Sequence, residues 1–535
     1  MLILHAQNIV KSYGERLLFK IDDLKIYDQD RIGLVGINGC GKSTLMGILA
    51  QEIHPDEGKV ELRTSLSYMK QLDIQDYDAR SKTSYLSGGE LSRLKLFTAL
   101  EKNCGLLLAD EPTTSMDLNG IQLVEEKLAS FPGALLLISH DRTLLDRLCT
   151  TIMEIDNGQF HIYSGNYAEY KKIKELERIN AYKEYSEYQA ERERLVSRIQ
   201  ERRQNVKQLR KTPKRMGNSE ARLHKRSTGE IQKKLHQSVN SLETRLEKLE
   251  VKEKPVSEPE IRIYFQTCMK ITGKSALKVH ELTLRTRNKL LLNKSDFHLP
   301  TGSKTALLGE NGTGKTTLLK ALFSGDPAVT FANGLIPGYF SQKLDILDKE
   351  KTILQNVREK SLLSEAGIRI ILSRLNFKGD SVHKNIGLLS GGEIVKATLA
   401  KILAEGPNLL LLDEPDNFLD LRSREALDKL IHEYPGTILF VSHDRRFLEN
   451  TADRIITFRD KQLHTFEGGY SDYLDELEQR ERRSGHIRQE ELLLIQNELS
   501  EIIGRLSDPM IIPSEYKALD ERYHLLLQRM KSMPQ

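Results

Sequence analysis

The chain has 535 residues, 29% of them charged, a formal net charge of +4 and four cysteines. No apolar run reaches the roughly 18 residues of a membrane helix, and no basic-then-apolar leader opens the sequence, so neither a channel nor a secretory signal is expected. Scattered cysteines without a CxxC pair argue against a disulfide framework and a zinc site, and favour a reducing, cytoplasmic setting.

Residues 1 to about 165 read as a first α/β unit, with strands such as ALLLIS and TIMEID between helices. GINGCGKST runs from Gly36 to Thr44. Such a loop turns the backbone N–H groups around Gly36, Asn38, Gly39 and Gly41 onto β- and γ-phosphates, and the following helix start adds positive potential. Lys42 supplies mobile positive charge, Ser43 offers a hydroxyl to Mg²⁺, and Thr44 completes the motif. Gln71 is placed to sense metal and water, and LSGGE follows with Ser87, Gly88 and Gly89. LLLADEP puts Asp110 at the end of an apolar strand, where it can hold the metal, and Glu111 next, where it can polarise an attacking water. ISHD brings His140 to the γ-phosphate.

From about 166 to 258 the strand signals vanish. Tyr167 to Arg210 reads as one long charged helix, about 65 Å at ~1.5 Å per residue. KTPKRMGNS breaks it at Pro213 and Gly217. A second helix, about Glu230 to Lys252, carries Leu235, Val239, Leu242, Leu246 and Leu249 at three- and four-residue spacing. Leu176, Tyr188, Leu195, Ile199, Val206 and Leu209 of the first helix are its expected mates. The product is an antiparallel hairpin with a basic tip. Arg198 to Lys234 holds 13 Lys/Arg against three Glu, a local +10 that leaves −6 for the rest of the chain. Charge runs are usually solvated faces; this one-signed excess favours a polyanion such as RNA, through Arg202, Arg203, Lys207, Arg210, Lys211, Lys214 and Arg215. Met216 is the sizeable apolar residue in that loop. It could reach into an apolar pocket, although packing is the commoner fate of a methionine.

Residues 259 to 470 repeat the first unit. GENGTGKTT (Gly309, Asn311, Gly312, Gly314, Lys315, Thr316, Thr317), Gln342, LSGGE (Ser390, Gly391, Gly392), LLLLDEP (Asp413, Glu414) and VSHD (His443) recur in the same order. Ser87 to Asp110 and Ser390 to Asp413 both span 23 residues, and Glu111 to His140 and Glu414 to His443 both span 29. Only the glutamine-to-serine interval differs, at 16 residues in the first copy and 48 in the second. One such loop arises by chance; four motifs twice in register do not. The tail, 471 to 535, holds two helical patterns split at SDPMIIPS. The expected fold class is α/β: two tandem P-loop ATPase domains of the ATP-binding cassette type, binding ATP and Mg²⁺, with a helical hairpin between them and a helical extension after them.

On these motifs the chain resembles an ABC-F protein over its whole length. The resemblance implies that each LSGGE serves the opposite cassette's nucleotide, pairing Lys42 with Ser390 and Lys315 with Ser87 in a monomer. Tyr13, 23 residues before Gly36, then occupies the adenine-stacking position, which is Thr286 in the second copy. The usual EPTNHLD reads EPTTSMD in the first copy and EPDNFLD in the second, keeping Asp117 and Asp420. The implied partner is the 70S ribosome, at the tRNA exit site, with the hairpin reaching toward peptidyl-site tRNA and 23S rRNA at the peptidyl-transferase centre.

Sixteen residues between Gln71 and Ser87 leave no room for the arm that housekeeping members carry there. With the tail, KIYDQDRIGLVG and SLETRLEKLE, the chain is similar to the Vga-like antibiotic-resistance group. That implies protection against lincosamides, pleuromutilins and streptogramin A. Two rivals stand beside this reading. A housekeeping translation factor would share the ATPase and the ribosomal site but not the effect on drugs. The ATPase part of a transporter with a separate membrane subunit would have no use for a basic hairpin.

Overall fold

The computed structural model describes residues 1–71, 88–102, 104–114, 116–209, 218–252, 254, 271, 273–286, 289–341, 346–377, 379–506 and 513–532. The chain divides into two units, Met1–Ile263 and Tyr264–Gln535.

In the first unit, β1 (Leu2–Tyr13), β2 (Arg16–Tyr27) and β4 (Glu57–Leu62) make an antiparallel sheet. A second sheet runs β5 (Leu66–Met69), β6 (Leu106–Asp110), β7 (Ala134–Ile138), β3 (Arg31–Gly36), β8 (Thr151–Asp156) and β9 (Gln159–Ser164). All its neighbours are parallel except β8 and β9. Every residue of β6 and β7 is buried, as an apolar run in a parallel strand covered on both faces demands. The helices of this cassette are α1 (Lys42–Leu49), α2 (Gly88–Leu100), α3 (Leu118–Ala129) and α4 (Arg142–Leu148). Since β6, β7 and β3 are neighbours, Asp110, the segment leading to His140 and the glycine loop emerge at adjacent carboxyl ends, where α/β sheets bind ligands.

The second unit repeats this plan. Strands β10 (Ser275–Thr286), β11 (Lys289–Pro300) and β13 (Val329–Phe331) form the small sheet. The large sheet runs β14 (Pro337–Phe340), β15 (Leu409–Asp413), β16 (Thr437–Val441), β12 (Lys304–Leu308), β17 (Arg454–Arg459) and β18 (Gln462–Glu467). Its helices are α7 (Lys315–Ser324), α8 (Ile353–Arg358), α9 (Glu365–Arg374), α10 (Gly391–Ala404), α11 (Leu421–Glu433) and α12 (Arg445–Thr451). Helices α8 and α9 lie in the long glutamine-to-serine interval. Two tandem α/β cassettes are therefore the fold.

Helices α5 (Tyr167–Leu209) and α6 (Asn218–Glu247) follow the first cassette. Arg203 pairs with Glu243 (2.6 Å), Arg245 with Glu191 (3.3 Å) and Lys252 with Glu184 (3.5 Å), so the two run antiparallel. Leu195, Ile199 and Val239 are buried between them. Two expectations change. The second helix starts at Asn218, not near Glu230, because Gly229 costs only about 1 kcal/mol inside a helix and does not stop it. Leu176 is 60% exposed, since the pairing with α6 ends near Glu184 and leaves it no mate. Helices α13 (Tyr470–Leu506) and α14 (Pro513–Ser532) form a second hairpin around Ile495, Leu499, Ile502 and Leu526.

Candidate active sites

Each glycine loop links a central strand to a helix through left-handed backbone. Gly39 and Gly312 have φ near 77° and 78°, and Gly41 and Gly314, which precede α1 and α7, have φ 102° and 108°. A Cβ at Gly41 would also lie 2.9 Å from the Phe19 ring, and one at Gly314 2.9 Å from Leu291, so both glycines are required twice over. Within each loop the lysine is buried and folds back. Lys42 Nζ donates to the carbonyls of Gly36 (2.8 Å) and Ile37 (3.3 Å), and Lys315 Nζ to those of Gly309 (2.7 Å) and Glu310 (3.1 Å). Gly36 and Gly309 thus sit at the strand ends, Asn38 and Asn311 in the loops, and Ser43, Thr44, Thr316 and Thr317 in the first helical turns.

Asp110 and Asp413 end β6 and β15, both almost wholly buried. Burial lifts each carboxyl above its usual range, against a hydrogen bond from Ser43 to Asp110 and from Thr316 to Asp413. The Oδ2 atom of each is buried and has no hydrogen-bond partner among the described residues. A hydroxyl, an anionic oxygen and an orphaned buried carboxylate oxygen, repeated in both cassettes, fit a hard divalent cation such as Mg²⁺.

Glu111 and Glu414 follow with left-handed backbone, φ 53° and 51°. Side chains rarely adopt this region, and it marks functional strain. Each N–H is held by the neighbouring strand: Glu111 donates to Ile138 O (2.9 Å) and Glu414 to Val441 O (3.0 Å). The turn points each carboxylate at its histidine. Glu111 Oε1 lies 3.4 Å from His140 Nε2, and Glu414 Oε1 lies 3.8 Å from His443 Nε2. Burial and the Asp413 charge raise Glu414's affinity for a proton, which suits a group that must draw one from water. Asp141 and Asp444, beside the histidines, cap α4 and α12.

Ser390 caps α10 in a capping box with Glu393, and Gly391 and Gly392 start that helix. Gly88 and Gly89 start α2, and Asp117 and Asp420 cap α3 and α11. Tyr13 is 58% exposed at the end of β1; across the turn, Arg16 donates to the loop carbonyl of Gly39 (3.4 Å). Thr286 ends β10 in the equivalent hairpin. Gln71 is exposed after β5. Ser87, Gln342, Arg210, Lys211, Lys214, Arg215 and Met216 lie outside the described residues. Arg202, Arg203 and Lys207 lie on α5, with Arg203 engaged by Glu243.

Sequence reasoning missed three groups. Asn417 Nδ2 donates to Glu414 Oε2 (2.5 Å), and the buried Asp416 accepts from Ser442 (3.0 Å). Arg93 pairs with Asp117 (2.8 Å). The first two had a signal: EPDN stands where the other copy has EPTT.

Among the described residues, no helix is long and apolar enough to cross a membrane. A family profile described as ABC transporter matches residues 19–71 and 292–417. The erythromycin resistance ATP-binding protein MsrA of Staphylococcus epidermidis is 31% identical over 470 residues, covering 83% of this chain and 95% of that protein. The ribosome protection protein VmlR of Bacillus subtilis is 29% identical over 557 residues, covering 99% and 98%. Among solved structures, the archaeal ribosome recycling factor aABCE1 in complex with stalk protein aP1 superposes with a TM-score of 0.58 at 19% identity, covering 88% of this chain and 92% of that one.

Proposed function

We propose that this chain, which belongs to the ABC-F family of ATP-binding cassette proteins, is an ATP-driven clamp that binds the ribosome and shields its peptidyl-transferase centre from antibiotics. The chain is an ATPase. In each cassette the glycine loop and lysine cradle the phosphates, and Ser43 with Asp110, or Thr316 with Asp413, would hold Mg²⁺, whose charge offsets that of the phosphates. Glu111 and Glu414 orient the attacking water and accept its proton, and His140 and His443 steady the γ-phosphate. Phosphoryl transfer asks mainly for such positioning and charge. Each signature serine completes the other cassette's site, so that ATP closes the pair and hydrolysis opens it.

The observation that carries the clamp's target is the long hairpin attached to this ATPase, with 13 Lys/Arg between Arg198 and Lys234. Rows of cations bind RNA phosphates without regard to sequence. Two relatives bear names of the matching kind, erythromycin resistance and ribosome protection. The reading places the hairpin at the tRNA exit site, its tip toward peptidyl-site tRNA and 23S rRNA, in a Vga-like member acting in the cytoplasm. Lincosamides, pleuromutilins and streptogramin A are the expected drugs.

A susceptibility panel in a sensitive bacterium expressing the chain tests this. Protection should appear against these three classes. It should vanish on deletion of 212–217 while purified protein keeps most of its ATPase activity. Unchanged susceptibility with the intact chain, at confirmed expression, would leave a housekeeping factor as the better reading.

A further inference from the structure

We propose that Asp416 is a positioning residue of the second ATP site, clamping through Ser442 the loop that presents His443. Asp416 lies two residues after Glu414, in the turn between β15 and α11, and is 4% exposed. The Ser442 hydroxyl donates to Asp416 Oδ2 (3.0 Å), and its oxygen accepts from the Asp444 N–H (3.0 Å). Asp444 accepts from Phe447 N (3.1 Å), capping α12, and from Arg424 (3.1 Å) of α11. One hydrogen-bonded chain therefore brackets His443 and ties it to the segment that carries Glu414.

The first cassette has half of this device. Ser139 Oγ accepts from Asp141 N (3.0 Å), as its counterpart does. On the other side stands Thr113, and among the described residues no hydrogen bond joins it to Ser139. Ile121 occupies the place of Arg424. Acid and arginine thus appear together in the second copy. A buried carboxylate needs such a partner, because uncompensated charge in the interior is costly. The groups facing Asp416 are Arg424, Asp444, Glu414 and Ser442. Burial lifts its carboxyl to about 7; Arg424 lowers it, while Asp444 and Glu414 raise it further. A group fixed on both sides loses less order when the transition state forms, the advantage of supporting a reacting shell from behind.

Steady-state ATPase assays on the full chain test the clamp. Asp416→Thr, which installs the first cassette's residue, should lower kcat roughly three- to tenfold, the worth of one hydrogen bond. The KM for ATP should stay within about twofold, since phosphate binding lies elsewhere. Ser442→Ala should match it, and the double variant should fall no further, because both remove one link. Asp416→Asn, which keeps an acceptor for Ser442, should recover most of kcat and serves as the test if the threonine variant fails to fold. A wild-type kcat in Asp416→Thr, or multiplying effects in the double variant, would overturn the proposal.

Discussion

At the root of the helix leaving each cassette, the two copies part company. Glu154 on β8, 1% exposed, accepts from Tyr170 (2.8 Å) and Tyr163 (3.4 Å) and pairs with Lys174 (3.1 Å). It is paired in register with Val35, the residue before Gly36, so α5 is fastened to the strand beside the glycine loop. The corresponding residues of the second cassette are Thr457, Phe466, Tyr473 and Leu477. They line a small cavity, and α13 leaves on a stacked Phe466–Tyr473 pair with no charged lock among them. At the phosphate end the copies instead coincide: lysine-to-carbonyl distances of 2.8 and 2.7 Å, and glutamate φ of 53° and 51°. Geometry is held where the reaction dictates it. It diverges where the emerging helix is followed by a different structure, a long basic hairpin in one case and a shorter tail in the other.

The largest effect should fall where the copies agree. Replacing Glu111 and Glu414 together by Gln should cut ATP turnover by roughly 10²–10⁴-fold while ATP binding persists, because the cradle remains. Either single change should also cost activity; a single variant with wild-type turnover would show that the matched geometry hides one idle site.

The next effect belongs to the hairpin alone. Neutralising Arg202, Arg203, Lys207 and Arg210 should weaken ribosome binding at low salt and flatten its salt dependence by about one unit of slope per lost phosphate contact. An affinity series across salt concentrations reads this, and an unchanged slope would make the hairpin a solvated spacer.

The divergent roots predict unequal stability. Glu154→Thr leaves Tyr170 and Lys174 without their acceptor and should cost about 1–3 kcal/mol. Thr457→Val should stay within ~0.5 kcal/mol. Denaturant titration of the two variants compares them, and equal losses would remove the asymmetry.

Asp416 sets the smallest and most specific difference. Its folded carboxyl titrates near about 7 against an ordinary 3.8. Between those values the folded chain holds a proton that the unfolded chain has released. This group's contribution therefore falls as pH rises from about 4 to 7 and is level above. Asp416→Asn should lessen the decline in unfolding midpoint across that window; Thr113→Val, its counterpart, should leave it unchanged.

Much of this was legible in the chain. Apolar runs ending in Asp110 and Asp413 announced buried parallel strands, and motif order placed the lysines, glutamates and histidines correctly within each cassette. The long first helix was legible because few glycines or prolines interrupt it. The start of α6 was not, since a run with Gly229 reads as a loop until tertiary pairing is known. The left-handed glutamates were invisible as well. Nothing in the letters DEP reports φ, which is fixed by hydrogen bonds from Glu111 and Glu414 to the adjacent strands. Asp416 was visible only as a mismatch between repeats; its meaning came from Ser442, 26 residues away.

The central claim is that ATP closes this chain onto ribosomes and hydrolysis releases it. The most direct measurement is co-sedimentation of the Glu111→Gln/Glu414→Gln protein with ribosomes, with and without ATP, beside the wild type. The account expects the double variant to pellet with ribosomes in ATP and stay there through a wash, while the wild type releases. A double variant that ignores ribosomes in ATP, while still binding the nucleotide, would contradict it.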